Sequence, residues 1–339
     1  MKKNKVAVLG GGSWGTALAS TFAENDNEVI LWSHNEDDVF NINTSHLNPR
    51  FLGSNKINQK VFATTDLEQA IDEAQVILFV VPTKAIRQVA TQVEEILKGS
   101  GQTPIVGHAT KGIEVSTFMR ISQMISEIVS IANQDNMFFI SGPSHAESVI
   151  QKGITLVSIA SANQENAEIV QNLISTPYFR AYTENDLVGS EFAAAIKNVL
   201  AIAGGILTGL NLSDNTQAAF VTRGLAEIKR FGAKMGGESQ TFDGLAGLGD
   251  LIVTATSPNS RNFKAGLGLA QGKNIDQIQD EMGMVVEGVA TTKALHQIAM
   301  DYDITMPISE AVYQVVYEDQ SIESQIQSLL NRPLTKEFN

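Results

Sequence analysis

Three features of the 339-residue sequence lead to an α/β protein in two parts. Short apolar runs, of the kind buried on both faces of a sheet, alternate with helical segments up to about residue 187. The first of these runs leads directly into a glycine-rich turn and a helix. After Leu187 only helical patterns follow. Together they predict a Rossmann-type, doubly wound parallel sheet over 1–188, followed by an all-helical C-terminal domain over 189–339.

The elements follow in order. Val6-Ala-Val-Leu9 is the first strand. It enters Gly10-Gly-Gly-Ser-Trp-Gly15, and a helix continues over 16–23. Gly10, Gly12 and Gly15 fit G-x-G-x-x-G. The first permits a tight turn, the second lets backbone approach a pyrophosphate, and the third packs helix on strand. The N–H groups and dipole of the helix start would hold the phosphates. An ordinary glycine-rich turn is the alternative, and the position between strand and helix speaks for the dinucleotide site. The lysine-rich start with Ala17-Leu-Ala-Ser20 imitates a secretion signal, but Gly10-Gly11-Gly12 breaks its apolar stretch.

The second strand, 28–32, ends in Ser33-His34-Asn35. An NAD site usually carries Asp or Glu here for the ribose hydroxyls. None is present, and Glu36 comes late. His34 either lies by the adenine or a 2′-phosphate, or is a solvated loop residue. NADPH is slightly favoured, with NADH allowed. Residues 35–75 are polar, with helices at 36–43 and 67–73. Strands are expected at 76–81, 104–107, 137–140, 155–160 and 178–182, separated by helices near 85–97, 118–131 and 165–174. In such sheets ligands sit beyond the carboxyl ends of the strands. Lys111, in Ala109-Thr-Lys-Gly112, and Ser144, in Gly142-Pro-Ser144, both fall there. Helices of the second domain are expected at 191–209, 215–232, 263–271, 290–301, 307–317 and 322–330.

The helix from Glu191 is apolar almost all round between Phe192 and Ala203, except at Lys197 and Asn198. Such a helix is buried. A buried lysine costs free energy unless it is paired or loses its proton. Lys197 therefore either snorkels to the helix edge, is paired structurally, or acts as an acid or base. Asp250 closes the stretch Gly244-Leu-Ala-Gly-Leu-Gly249, where a carboxylate can hold a buried ammonium; close helix packing is the other use of those glycines. Ser260-Arg261-Asn262 sets a guanidinium between two hydrogen-bonding side chains. That suits a phosphate dianion, or else marks a capped surface loop.

Composition narrows the function classes. The net charge of -13 excludes a broad nucleic-acid surface, though not a small anionic substrate. The sequence has no cysteine. Disulfides, thiolate nucleophiles and Cys-ligated metals are excluded, and a reducing, cytoplasmic setting fits. The five histidines, 34, 46, 108, 145 and 296, form no HxxxH pair, so no metal site is expected. No apolar run is expected to reach the roughly 20 residues needed to span a bilayer.

GGGSWGTALA at 10–19, ATKG at 109–112, SGPSHA at 141–146, EFAAAIKNVLAIAGG at 191–205, RGLAEI at 223–228, GLAGLGDLIVT at 244–254, SRNF at 260–263 and VVEGV at 285–289 carry a resemblance. In type and order these motifs resemble the bacterial NAD(P)-dependent sn-glycerol-3-phosphate dehydrogenases, over nearly the whole chain. The resemblance implies a 6-phosphogluconate-dehydrogenase-like arrangement of the two domains. It implies NADPH or NADH as cofactor, dihydroxyacetone phosphate and sn-glycerol 3-phosphate as substrates, and a homodimer supplying glycerophospholipid synthesis. It matches Ser13, Trp14, His34, Lys111, Ala146, Arg261, Val285 and Glu287 to cofactor positions, beside the glycines already named. It matches Lys111, Gly142, Ser144, Lys197, Asp250, Ser260, Arg261 and Asn262 to substrate positions, with Lys197 as the catalytic acid/base. Two positions depart from the family: His145 stands where Phe is frequent, and an arginine is frequent near His34. A β-hydroxyacid dehydrogenase of the same plan and a non-catalytic NAD(P)H sensor are the rival readings. The buried lysine and the Arg261 trio speak against the sensor.

Overall fold

The structure, a computed structural model, describes residues 4–133, 135–283 and 285–337. Its sheet has eight strands: β1 (Lys5–Leu9), β2 (Glu28–Trp32), β3 (Val61–Thr64), β4 (Val76–Phe79), β5 (Ile105–His108), β6 (Phe138–Ser141), β7 (Thr155–Ala160) and β8 (Phe179–Glu184). Their order is β3-β2-β1-β4-β5-β6-β7-β8. β1 pairs in parallel with β2 on one side and β4 on the other. The strand order therefore reverses at β1 and β4, which opens a crevice beyond their carboxyl ends. β1 and β4 are apolar because helices cover both faces of the sheet; Val6 to Leu9 and Val76 to Phe79 are fully buried.

Two expectations about the sheet need correction. The polar stretch 35–75 contains β3, with Val61, Ala63 and Thr64 buried and Phe62 exposed. The sheet is also not parallel throughout, because β6 and β7 are antiparallel, pairing Phe139 with Ala160 and Ser141 with Ser158. The connection between them holds only the five-residue helix Ala146–Ile150. The chain turns back at Gly142 instead of crossing over the sheet, as a parallel strand would require.

The second part is helical, as expected, and is built around Leu187–Gly209. That helix starts earlier than the sequence suggested, because Asp186 caps it: its carboxylate accepts Gly189 N at 2.7 Å and Glu238 N at 2.7 Å. Helices Arg261–Ala270, Asp250–Thr256, Asp214–Lys234 and Glu287–Asp301 pack around it. A Cβ on Gly204 would lie 2.2 Å from Ala255 O, and one on Gly205 2.0 Å from Phe263 O. These backbones touch where only glycine fits. At 23 residues the central helix is long and apolar enough to cross a bilayer, contrary to the sequence reading, yet 83% of its apolar window is buried inside the protein. The helices Asp250–Thr256 and Ile275–Met282 were not expected, and the one expected over 118–131 is only Ile121–Ser126.

Candidate active site

The glycine-rich turn lies at the carboxyl end of β1, beside the crevice. Gly10 has φ +131, and a Cβ there would sit 2.6 Å from Val80 O. A Cβ on Gly15 would sit 1.9 Å from Gly10 O. Gly12 differs: a Cβ there would meet nothing within 4 Å, so its backbone faces open space. It caps helix Ser13–Glu24, whose first N–H groups point the same way. Trp14 Nε1 is buried, with no hydrogen-bond partner among the described residues. An open backbone, unsatisfied helix N–H groups and an orphaned indole donor fit a pyrophosphate-bearing ligand. Asn48, which sequence reasoning missed, braces the turn by donating to Gly11 O and Thr16 Oγ1, both at 2.9 Å. His34 is exposed and follows Ser33, on which Gly11 packs. It thus adjoins the turn.

At the seam between sheet and helices, Asp250 holds two lysines. Lys197 comes from the central helix and donates to Asp250 Oδ1 at 2.7 Å and to Thr254 Oγ1 at 2.7 Å. Lys111 follows β5 and donates to Asp250 Oδ2 at 2.7 Å. Lys197 is 5% exposed and Asp250 1%, whereas the Lys111 side chain is 18% exposed. The lysine does not snorkel; it is buried and paired. Burial pushes Lys197 down to about 7; neighbouring Lys111 adds to this and Asp250 opposes it. Burial alone would raise Asp250, but the two ammonium groups hold its carboxyl below the ordinary value. One carboxylate between two lysines leaves an excess of positive charge whenever Lys197 is protonated. An ammonium has three protons, and two of those on Lys197 are engaged; the third is available to an oxygen placed in the seam.

The remaining residues surround this cluster. Lys111 Nζ also approaches Gly142 O at 3.5 Å, and the Ser144 hydroxyl donates to the same carbonyl at 2.9 Å. Gly142 has φ +139, a conformation suited to glycine. Ala146 is buried at the start of the helix after it. His145 Nε2 lies 3.3 Å from Val253 O, which ties this loop to the helix bearing Asp250 and Thr254, and burial holds the ring below its ordinary value. Asn198 donates to Lys111 O at 3.4 Å and accepts from Asn262 at 3.0 Å, while Asn262 Oδ1 accepts Gly288 N at 2.9 Å. Ser260 caps helix Arg261–Ala270, its hydroxyl accepting Phe263 N at 3.2 Å. The cap and the exposed Arg261 therefore coexist at one helix start, the kind of place that receives anions. Arg261 reaches Val285 O at 3.5 Å. Glu287 accepts from the Thr83 hydroxyl at 3.0 Å, and burial raises its carboxyl.

The class follows from the plan: a Rossmann-type sheet with its dinucleotide turn, joined to a helical domain whose central helix brings a lysine to the seam, is that of the two-domain nicotinamide-dependent oxidoreductases. Comparison with known proteins narrows it. Residues 5–167 match the NAD-dependent glycerol-3-phosphate dehydrogenase N-terminus and residues 186–327 the C-terminus of the same. The chain belongs to the NAD-dependent glycerol-3-phosphate dehydrogenase family. It is 50% identical to the glycerol-3-phosphate dehydrogenase [NAD(P)+] of Lacticaseibacillus casei, covering 99% of this chain and 97% of that one. It is 47% identical to that of Leuconostoc mesenteroides, covering 98% and 99%. The crystal structure of glycerol-3-phosphate dehydrogenase from Coxiella burnetii is similar at TM-score 0.90 and 34% identity, covering 97% of this chain and 99% of that one. D-mandelate dehydrogenase, at TM-score 0.59 and 13% identity over 97% and 100%, shares the fold alone.

Proposed function

We propose that this protein reduces dihydroxyacetone phosphate to sn-glycerol 3-phosphate with NADPH or NADH, and that Lys197 is the acid that protonates the carbonyl oxygen. The observation that carries this is the buried Lys197, poised at about 7 and held by Asp250 and Thr254 with one proton to spare. When bound, the nicotinamide supplies the hydride. Gly10, Gly12, Ser13, Trp14 and Gly15 hold the phosphates of the cofactor, and His34, Lys111, Ala146, Arg261, Val285 and Glu287 line the rest of its path. Arg261 and the start of its helix, with Ser260 and Asn262, receive the phosphate of the substrate. Lys111, Gly142 and Ser144 orient its carbonyl end. As negative charge develops on the carbonyl oxygen, the excess positive charge around Asp250 stabilises it, and Lys197 delivers a proton. The family resemblance further supports a cytoplasmic homodimer feeding glycerophospholipid synthesis, with the division between domains at 188/189.

The test is the initial rate of cofactor oxidation with dihydroxyacetone phosphate, run with NADPH and NADH in parallel and with 2- and 3-oxo acids as controls. Rapid oxidation with the triose phosphate alone is expected. Oxidation only with the oxo acids would assign the site to hydroxyacid chemistry instead.

A further inference from the structure

A second buried charge cluster lies behind the lysines. Glu191 is on the central helix, six residues before Lys197, and is 4% exposed. Its carboxylate accepts Ser122 N at 2.8 Å and the Ser122 hydroxyl at 2.6 Å, and the Arg120 guanidinium donates to the same group. His108, the last residue of β5, places Nε2 3.1 Å from Glu191 Oε1, close in distance though out of line for a good hydrogen bond. The His108 ring is itself fixed. It is 0% exposed, its Nδ1 lies 3.2 Å from Thr110 O, and it stacks on Phe139 with centroids 4.6 Å apart. Burial alone would raise Glu191, but the adjoining His108 ring, the Arg120 guanidinium and the Ser122 hydroxyl hold its carboxyl below the ordinary value, so the carboxylate is charged.

The placement of this cluster gives it a role. His108 stands three residues before Lys111 and Glu191 six residues before Lys197. One carboxylate therefore joins the strand end that presents Lys111 to the helix that presents Lys197. Six helical residues put Glu191 about 9 Å along the axis and about 120° around it from Lys197, and its carboxylate is taken up by Ser122 and Arg120 instead. Buried ions are a costly way to gain stability, and apolar residues of similar volume would often serve as well. Their value here is geometric. We infer that Glu191, braced by His108 and Arg120, is a positioning residue that sets the spacing of Lys111 and Lys197 across Asp250. It acts through the lysines and not on the substrate.

This inference rests on the proposed function for its turnover readout. The charged and titratable groups facing Lys197 are Asp250 from helix Asp250–Thr256, Lys111 from the segment after β5 and His145 from the loop after β6. Asp250 raises the affinity of Lys197 for its proton. Loosening the spacing weakens that pairing and also the opposing push of Lys111; the pull of Asp250 is the larger of the two, so Lys197 should lose its proton at lower pH. Glu191→Gln and His108→Gln are measured beside the parent, with rates expressed per folded molecule. For Glu191→Gln, kcat should fall about 10-fold to 100-fold, the scale of a small misplacement of reacting groups. Its KM for cofactor should change less than kcat does, because the dinucleotide turn is untouched and Lys111 is one of several residues along the cofactor's path. The alkaline limb of kcat/KM for dihydroxyacetone phosphate should move down by about one pH unit. His108→Gln should shift both in the same direction by less, and it decides the matter if Glu191→Gln does not fold. Rate and limb both unchanged in a folded variant would overturn the inference. Acetylation of Lys197 against pH, followed by mass spectrometry, gives the same midpoint without turnover. A parent that never oxidises cofactor would thus sink the functional reading alone, while an unshifted acetylation midpoint would sink this one.

Discussion

Replacing Asp250 by Asn keeps its shape and removes the charge that holds both lysines. At the observed separation of 2.7 Å, and with an effective dielectric of about 20, the Lys197–Asp250 attraction is about 6 kcal/mol. Admitted water and the amide dipole will recover much of it. If only a third is lost, about 2 kcal/mol, Lys197 loses its proton about 1.5 pH units earlier. Its midpoint then falls from about 7 to about 5.5. At pH 7 the parent is about half protonated and the variant about 3%, so kcat/KM for reduction should drop about 15-fold from protonation alone. The sign is fixed by the direction of the reaction: reduction needs the proton on Lys197, so the rate falls as pH rises through its midpoint. The freed Lys111 should also raise the KM for dihydroxyacetone phosphate. Removing one partner of a buried pair costs about 3–5 kcal/mol of stability, so thermal melts must set the folded fraction. The assay is the pH profile of kcat/KM for dihydroxyacetone phosphate from 5 to 9 by NADPH absorbance. An alkaline limb in Asp250→Asn at or above that of the parent would refute the reasoning.

Other perturbations read other parts of the molecule. Gly15→Ala drives a methyl to 1.9 Å from Gly10 O, so NADPH affinity by fluorescence titration should fall at least about tenfold; unchanged affinity would mean the turn does not hold the cofactor. Glu227 is buried, accepts Ile308 N, Ser309 N at 3.1 Å and the Ser309 hydroxyl at 2.9 Å, and is raised by burial from 4.5 to about 7. The folded protein keeps this proton up to about pH 7 while the unfolded chain releases it near 4.5, so its contribution is full below 4.5 and is lost as pH rises through 7. Glu227→Gln cannot titrate, and its melting temperature should fall less between pH 5 and pH 8 than that of the parent; an equal fall would assign the dependence elsewhere.

Much of this was legible in the sequence, for identifiable reasons. Strands buried on both faces leave unbroken apolar runs, and β1, β2, β4 and β7 read directly. β3 did not, because Val61-Phe-Ala-Thr64 is four residues long with one of its apolar side chains exposed. The reversed direction of β7 leaves no mark, since a strand buried on both faces looks alike whichever way it runs. Lys197 stood out as a cation in an apolar helix, and Asp250 as the carboxylate that could hold it. Thr254 was hidden because the helix after the glycines went unseen; on a helix it lies one turn past Asp250, facing the same lysine. The pairings of Lys111 with Asp250 and of Glu191 with His108 join residues far apart in the chain, and no local pattern encodes them.

The central claim is that Lys197 is the acid. Lys197→Met keeps much of the side-chain volume and removes the ammonium. Its kcat with dihydroxyacetone phosphate and NADPH is the most direct measurement, taken alongside NADPH affinity to confirm an intact cofactor site. The expected result is a loss of at least about 10²–10³ in kcat with cofactor affinity preserved. Near-normal turnover in a variant that still binds NADPH would contradict the account.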